Sequence, residues 1–143
     1  MDSFIAVDIG GTQIRVAVYP VESSIPLVNT RTPTQGEGSA VERLIGAIAA
    51  VLPQAGHVRA IAMAAPGPID PQRGIIYSAP NIPGWVNLPL ADLVQQHFGI
   101  RTLLGNDANL AGLGEWRFGA ARGHHDVLYL TVSTGIGGGV IMD

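Results

Sequence analysis

The stretch Phe4-Ile5-Ala6-Val7-Asp8-Ile9-Gly10-Gly11-Thr12-Gln13-Ile14-Arg15-Val16-Ala17-Val18-Tyr19 decides how this chain is read. Two apolar runs flank an acid, two glycines and a hydroxyl, the pattern of two strands joined by a tight turn. A Gly-Gly pair between strands is an ordinary hairpin signal. A hairpin has no need of Asp8 at the strand end or of Thr12 behind the glycines. A phosphate site uses them all. Glycines let backbone N–H groups approach phosphoryl oxygens, and the hydroxyl adds a donor. A carboxylate at the strand end can hold the Mg²⁺ that accompanies a nucleotide. The turn is not a Walker loop, because it lacks G-x-x-x-x-G-K-[ST] and a strand follows where that loop needs a helix.

Working outward, the 143 residues suffice for one ordinary domain. Charged residues are only 13% of the chain, against roughly 25% in an average soluble protein. Mean hydropathy is +0.30. Either the protein is unusually buried or part of its surface is meant to be covered. The net charge of −3 is a poor electrostatic footprint for a nucleic-acid partner. No apolar run approaches the roughly 18–20 residues of a membrane span. Asp2 and Ser3 lead straight into a strand without the basic start of a signal peptide. Cysteine is absent, which excludes disulfides and thiolate metal sites within the chain and fits a cytoplasmic location.

Leu27 to Thr32 reads as a third strand. Ser39 with Glu42 three positions on forms a capping box. Val41, Leu44, Ile45, Ile48 and Leu52 follow at helical spacing, and Pro53 is expected to end the helix. Ala60 to Ala65 is a continuous apolar run, expected to be a strand buried on both faces. Residues 66 to 89 are rich in Pro and Gly, yet Tyr77 and Trp85 argue for a packed binding loop over a linker. Leu90, Leu93, Val94 and His97 line one face of a second helix, stopped by Gly99. Arg101 to Gly105 is a strand, and Asn106 to about Arg117 a third helix. Asp126 to Ser133 and Gly139 to Met142 are strands joined by a glycine turn. Alternation of this kind gives an α/β fold, a mixed sheet covered by helices.

Three further segments can carry chemistry. Ser133-Thr134-Gly135-Ile136-Gly137-Gly138-Gly139 is a second glycine turn. It fails the dinucleotide G-x-G-x-x-G pattern, and a strand follows it. It is a flexible hairpin or, paired with the Asp8 turn, a second grip on a polyphosphate. Asn106-Asp107-Ala108-Asn109 lies where a strand becomes a helix. Asn and Asp there are N-cap residues, or Asp107 is a carboxylate at the carboxyl edge of a sheet, where open α/β sheets bind ligands. In that place it could accept the proton of a hydroxyl attacking a γ-phosphate, acting late and leaving most of the rate to positioning. Pro80-Asn81-Ile82-Pro83-Gly84-Trp85 suits a sugar, with amides for hydroxyls and a ring for its C–H face, or else Trp85 belongs to the core. His124 and His125 have no third ligand at metal spacing and read as a solvated loop.

The ordered set resembles the ROK family of sugar kinases and sugar-responsive repressors, within the actin-like ATPase superfamily. The matches are Asp8-Ile9-Gly10-Gly11-Thr12, Pro66-Gly67-Pro68-Ile69-Asp70, Asn106-Asp107-Ala108-Asn109 and Thr134-Gly135-Ile136-Gly137-Gly138-Gly139. Pro80 to Trp85 is similar to the glucokinase-type members. The resemblance implies an actin-like (ribonuclease H-like) ATPase domain over 1–118 and the first hairpin of a second such domain over 119–143. It implies ATP and Mg²⁺ as cofactors and phosphorylation of a hexose, glucose first. Asp8, Gly10, Gly11 and Thr12 would bind phosphate, with Asp8 the metal anchor. Thr134, Gly135 and Gly137 would form the second phosphate turn. Asp107 would be the catalytic base, and Asn106 and Gly67 would contact the sugar.

The chain departs from the family at Gln13, where many members carry Lys, and at Ser133, where many carry Gly. It is also about half the family's usual length. An E-x-G-H sugar motif, a Cys/His zinc cluster, the adenosine pocket and a C-terminal helix that returns over the first domain are not in it. The expectation is therefore a poorly active half of a kinase, whose open surfaces favour a homodimer. The alternatives are a non-catalytic sugar-binding or self-associating module, and a repressor lacking its DNA-binding part.

Overall fold

A computed structural model of the chain describes residues 1–133 and 135–142. The contacts divide it into two compact units, Met1–Gly105 and the residues from Asn106 onward. The first unit is built on β1 (Asp2–Ile9), β2 (Gln13–Pro20), β3 (Val28–Pro33), α1 (Ala40–Ala55), β4 (His57–Ala65) and β8 (Thr102–Asn106). Its sheet has the order β3-β2-β1-β4-β8. β1 is antiparallel to β2 and parallel to β4, so the sheet is mixed as expected. Between β4 and β8 lie β5 (Ile69–Asp70), β6 (Ile75–Ser78), β7 (Val86–Leu88) and α2 (Leu90–Phe98). The three short strands form a sheet of their own.

Period-two alternation explains the packing of the central strands. Ile5, Val7 and Ile9 of β1 and Ile14, Val16 and Val18 of β2 are buried, in one core with Leu44, Ile48 and Val51 of α1. Burying each such side chain contributes about 1.5–3 kcal/mol. The other face carries Phe4, Asp8, Arg15, Ala62 and Leu103, all exposed. β4 is therefore not buried on both faces. Ile61, Met63 and Ala65 point into the core, whereas Ala60, Ala62 and Ala64 lie on the open side. The unbroken apolar run arises because the open side uses alanine in place of polar residues.

α1 begins at the expected capping box, Ser39 with Glu42. It does not stop at Pro53 but runs to Ala55. The proline ring removes the partner of the Ala49 carbonyl, and Ala49 is exposed, so water can replace it. The last turn is held from outside. Val51 and Ala55 are buried, and the buried Ser3 hydroxyl donates to the Ala55 carbonyl at 2.5 Å. On α2 the buried stripe is Leu90, Ala91 and Val94, while Leu93 and His97 face solvent. The apolar face is thus rotated by about one residue from the expected one. Gly99 caps α2 in the left-handed conformation, as its position suggested.

The second unit holds α3 (Asp107–Phe118), β9 (Val127–Val132) and β10 (Ile136–Ile141). Within this unit α3 packs on β9 and β10. β10 also starts earlier than expected, and Gly137, Gly138 and Gly139 pair in register with Thr131, Leu130 and Tyr129. These glycines are packing residues. A Cβ on Gly139 would lie 3.1 Å from the Ala108 carbonyl, and one on Gly137 would lie 3.3 Å from the Ala108 Cβ. The first turn of α3 rests directly on the strand. No helix among the described residues is long and apolar enough to cross a membrane.

The capping box yields a stability prediction. Ser39→Ala should lower unfolding free energy by about 1 kcal/mol, read from the urea midpoint at unchanged slope. The backbone N–H of Ser39, and then its hydroxyl, hold the Glu42 carboxyl below its ordinary 4.5. A lowered carboxyl pKa stabilises fully above the unfolded value, and the contribution is lost as pH falls through the folded one. Ser39→Ala keeps that N–H, so the pH test uses Glu42→Gln: its difference from the parent should shrink below about pH 4.5, and an unchanged difference in acid would contradict this account.

Candidate functional site

Asp8 and Arg15 face each other across the β1–β2 pair, on the open side of the sheet. Between them the chain reverses through Gly10, Gly11 and Thr12. The Gly10 N–H donates to the Gln13 carbonyl at 2.8 Å, which closes the turn. Thr34, only 1% exposed, holds it from behind. Its hydroxyl donates to the Gly10 carbonyl at 2.7 Å, and its N–H donates to the Thr12 carbonyl at 2.9 Å. The turn's carbonyls are thus bound toward the protein. Among the described residues, the N–H groups of Gly11 and Thr12 and the Thr12 hydroxyl have no hydrogen-bond partner. They are donors left over for a ligand.

Asp8, Gly10, Gly11, Thr12, Gln13 and Arg15 line an open cavity of about 350 Å³. The four turn residues expected from the sequence are therefore together. Two more were missed there. Arg15 brings a guanidinium 4.0 Å from the Asp8 carboxylate, both side chains being largely exposed. This returns a cation to a turn that has Gln13 in place of Lys. The antiparallel register was its signal, since the residue facing Asp8 shares its face. Thr34 had no local signal, because it acts from beyond β3.

The proline loop lies against the same turn. A Cβ on Gly11 would fall 2.9 Å from the Asn81 Cβ. The loop is anchored by Ile82 and Trp85, which are 2% and 3% exposed. Trp85 is therefore a core residue, and its ring is not presented to a ligand. Gly67 adopts φ +87 where β4 ends, and a side chain there would collide with the Ser78 carbonyl. The requirement for glycine at 67 is thus met by the backbone path alone.

In the second unit, Asn106 caps α3. Its Oδ1 accepts from the N–H of Ala108 at 3.0 Å and of Asn109 at 3.2 Å. Asp107 Oδ1 shares the Ala108 N–H at 2.8 Å, and the residue is exposed. Asn106 therefore does the capping that sequence spacing allowed, and the Asp107 carboxylate opens to solvent at the helix start. Of the second glycine turn, Thr134 lies outside the described residues. The Gly135 carbonyl accepts from the Ser133 N–H at 2.8 Å, and Gly137 already belongs to β10. His124 and His125 are exposed, and the His124 carbonyl accepts from Trp116 Nε1 at 2.7 Å.

The chain is 39% identical over 141 residues to a glucokinase of Streptomyces coelicolor, covering 96% of this chain and 43% of that protein. The solved structure of a ROK hexokinase from Thermus thermophilus superposes with a TM-score of 0.84 at 40% identity, over 98% of this chain and 47% of that one. A ROK family glucokinase from Streptomyces griseus, solved with glucose and AMPPNP, gives 0.80 at 40% identity, over 98% and 44%. The chain thus spans less than half the length of these relatives. The expected mixed α/β fold is the one they share, and the ROK family model matches residues 4–143: the chain belongs to the ROK family.

Proposed function

We propose that the chain supplies the phosphate turn and the general base of an ATP-dependent hexose kinase, glucose first, working in the cytoplasm. The observation that carries this is the Asp8–Thr12 turn, whose unused N–H and hydroxyl donors sit beside one carboxylate and one guanidinium. Donors without acceptors suit phosphoryl oxygens, and an arginine beside them adds a charge-assisted contact. The resemblance to a glucokinase solved with glucose and AMPPNP supports the choice of nucleotide and sugar.

The exposed Asp8 carboxylate fits Mg²⁺, which takes one or two carboxylates and completes its shell with phosphate oxygens and water. Bound there, the ion would neutralise charge on the phosphates. The protein's own groups do the rest. Gly10, Gly11 and Thr12 hold and orient the phosphates, as would Thr134, Gly135 and Gly137. Asp107 takes the proton of the sugar hydroxyl as its oxygen bonds to the γ-phosphorus, the bond from that phosphorus to the bridging oxygen breaks and ADP leaves. Asn106 and Gly67 are the sugar-side contacts. Asn106 positions Asp107 through the shared cap of α3, so the base is set by a helix start.

The apolar outer face of β9 and β10 supports self-association. Leu128, Leu130, Val132, Ile136 and Val140 are all more than 60% exposed.

Alone, the chain should turn over glucose and MgATP far below the ordinary ~1–10³ s⁻¹, and a coupled assay within that range would refute the view of it as an incomplete half. Fused to the later half of the Streptomyces griseus glucokinase it should gain activity. Asp107→Asn should then cut kcat by about 10²–10⁴ with little change in sugar KM. In the chain itself, Arg15→Gln should weaken MgATP about tenfold by calorimetry, and adding Gln13→Lys should restore it. Light scattering should find dimers or larger species at high concentration, and a monomer there would remove the homodimer from the proposal.

A further inference from the structure

Asn81 is a polar side chain that the proline loop leaves outside the core. Its neighbour Ile82 is buried, as is Trp85. The loop is tied by three backbone bonds, from Ala79 N–H to the Trp85 carbonyl, from Ile82 N–H to the Ala79 carbonyl and from Trp85 N–H to the Ile82 carbonyl. A turn so held has little freedom, and it presents Asn81 outward. There Asn81 meets the phosphate turn. A Cβ on Gly11 would lie 2.9 Å from Asn81 Cβ, 3.6 Å from its backbone carbonyl and 3.8 Å from Cγ. Gly11 is glycine in a conformation with no positive φ, so this approach is the constraint that excludes a side chain.

The Asn81 amide is exposed and makes no hydrogen bond among the described residues. An amide carries two N–H donors. Here they stand beside the unused N–H groups of Gly11 and Thr12. We propose that Asn81 contacts the ligand of the phosphate turn, its side-chain amide donating to a phosphoryl oxygen held over Gly10 to Thr12. The fold then brings a fourth donor to the turn from a segment seventy residues away in sequence, the gap between Gly11 and Asn81. This rests on the reading of the turn as a phosphate site.

The test uses the chain labelled with ¹⁵N and titrated with inorganic tripolyphosphate in the presence of Mg²⁺. The backbone amides of Gly10, Gly11 and Thr12 and the side-chain amide of Asn81 should shift together with one dissociation constant. Asn81→Ala should raise that constant about tenfold, the size of one hydrogen bond to a charged group. Asn81→Asp should raise it further, because a carboxylate repels the phosphate. Both variants keep the Cβ that packs on Gly11, so a purely structural role would leave binding unchanged in each, and dispersed spectra would verify their folds. If the turn amides shift while the Asn81 amide stays still and both variants bind like the parent, Asn81 has no such role and the phosphate site stands. If no turn amide shifts, the phosphate site and the Asn81 contact fall together. Should one variant fail to fold, the Asn81 side-chain signal of the parent decides alone.

Discussion

Thr34 holds the turn of Gly10, Gly11 and Thr12 by its carbonyls. A tight turn has as many acceptors as donors, and a turn whose carbonyls faced outward would repel an anion. Here the Thr34 hydroxyl takes the Gly10 carbonyl and its N–H takes that of Thr12. The N–H groups of Gly11 and Thr12 are left on the other side. Thr34 itself is fixed because β3 pairs with β2, and because the carbonyl of Thr34 accepts from Arg43 Nε of α1 at 3.1 Å. Arg43 also donates to the carbonyls of Gly36, Glu37 and Gly38 and so ties down the loop between β3 and α1. The site thus depends on a chain of contacts running from helix to loop to turn.

Much of this was legible in the sequence where the signal is local. The β1–β2 alternation, the Ser39–Glu42 box, the Gly99 cap and the Asn106 cap are short-range patterns, and each appears where its residues stand. What escaped was set by tertiary partners. α1 runs past Pro53 to a last turn whose Ala55 carbonyl accepts from the hydroxyl of Ser3, 52 residues earlier. The run from Ala60 to Ala65 looked doubly buried because alanine does not distinguish an open face from a covered one. The role of Thr34 depends on β3 lying beside β2, which no local pattern states.

The glycines divide in the same way. Those at 10 and 11 were read as making room for a ligand, and Gly11 also makes room for Asn81. Those at 137 and 139, in the expected turn and at the start of the strand after it, also make room for a helix. Composition alone cannot separate these uses, since a missing side chain looks alike whatever fills the space. Trp85 shows the converse. An aromatic in a proline-rich loop invites a ligand-stacking role, yet its ring went into the core and left Asn81 facing outward.

The contact of α3 with β10 has a consequence for how this protein can vary. Because the first turn of the helix rests on backbone, the thickness of the layer beneath Asp107 is set by atoms that are absent. A methyl group added at 139 would meet Ala108 and Asn109 within 3.1 Å and would tilt the end of the helix that bears the carboxylate. Substitution at 139 would thus move the start of α3 without touching Asp107, and because the nearest atoms met are the Ala108 carbonyl oxygen and the Asn109 Cα, no change of side chain on α3 relieves it.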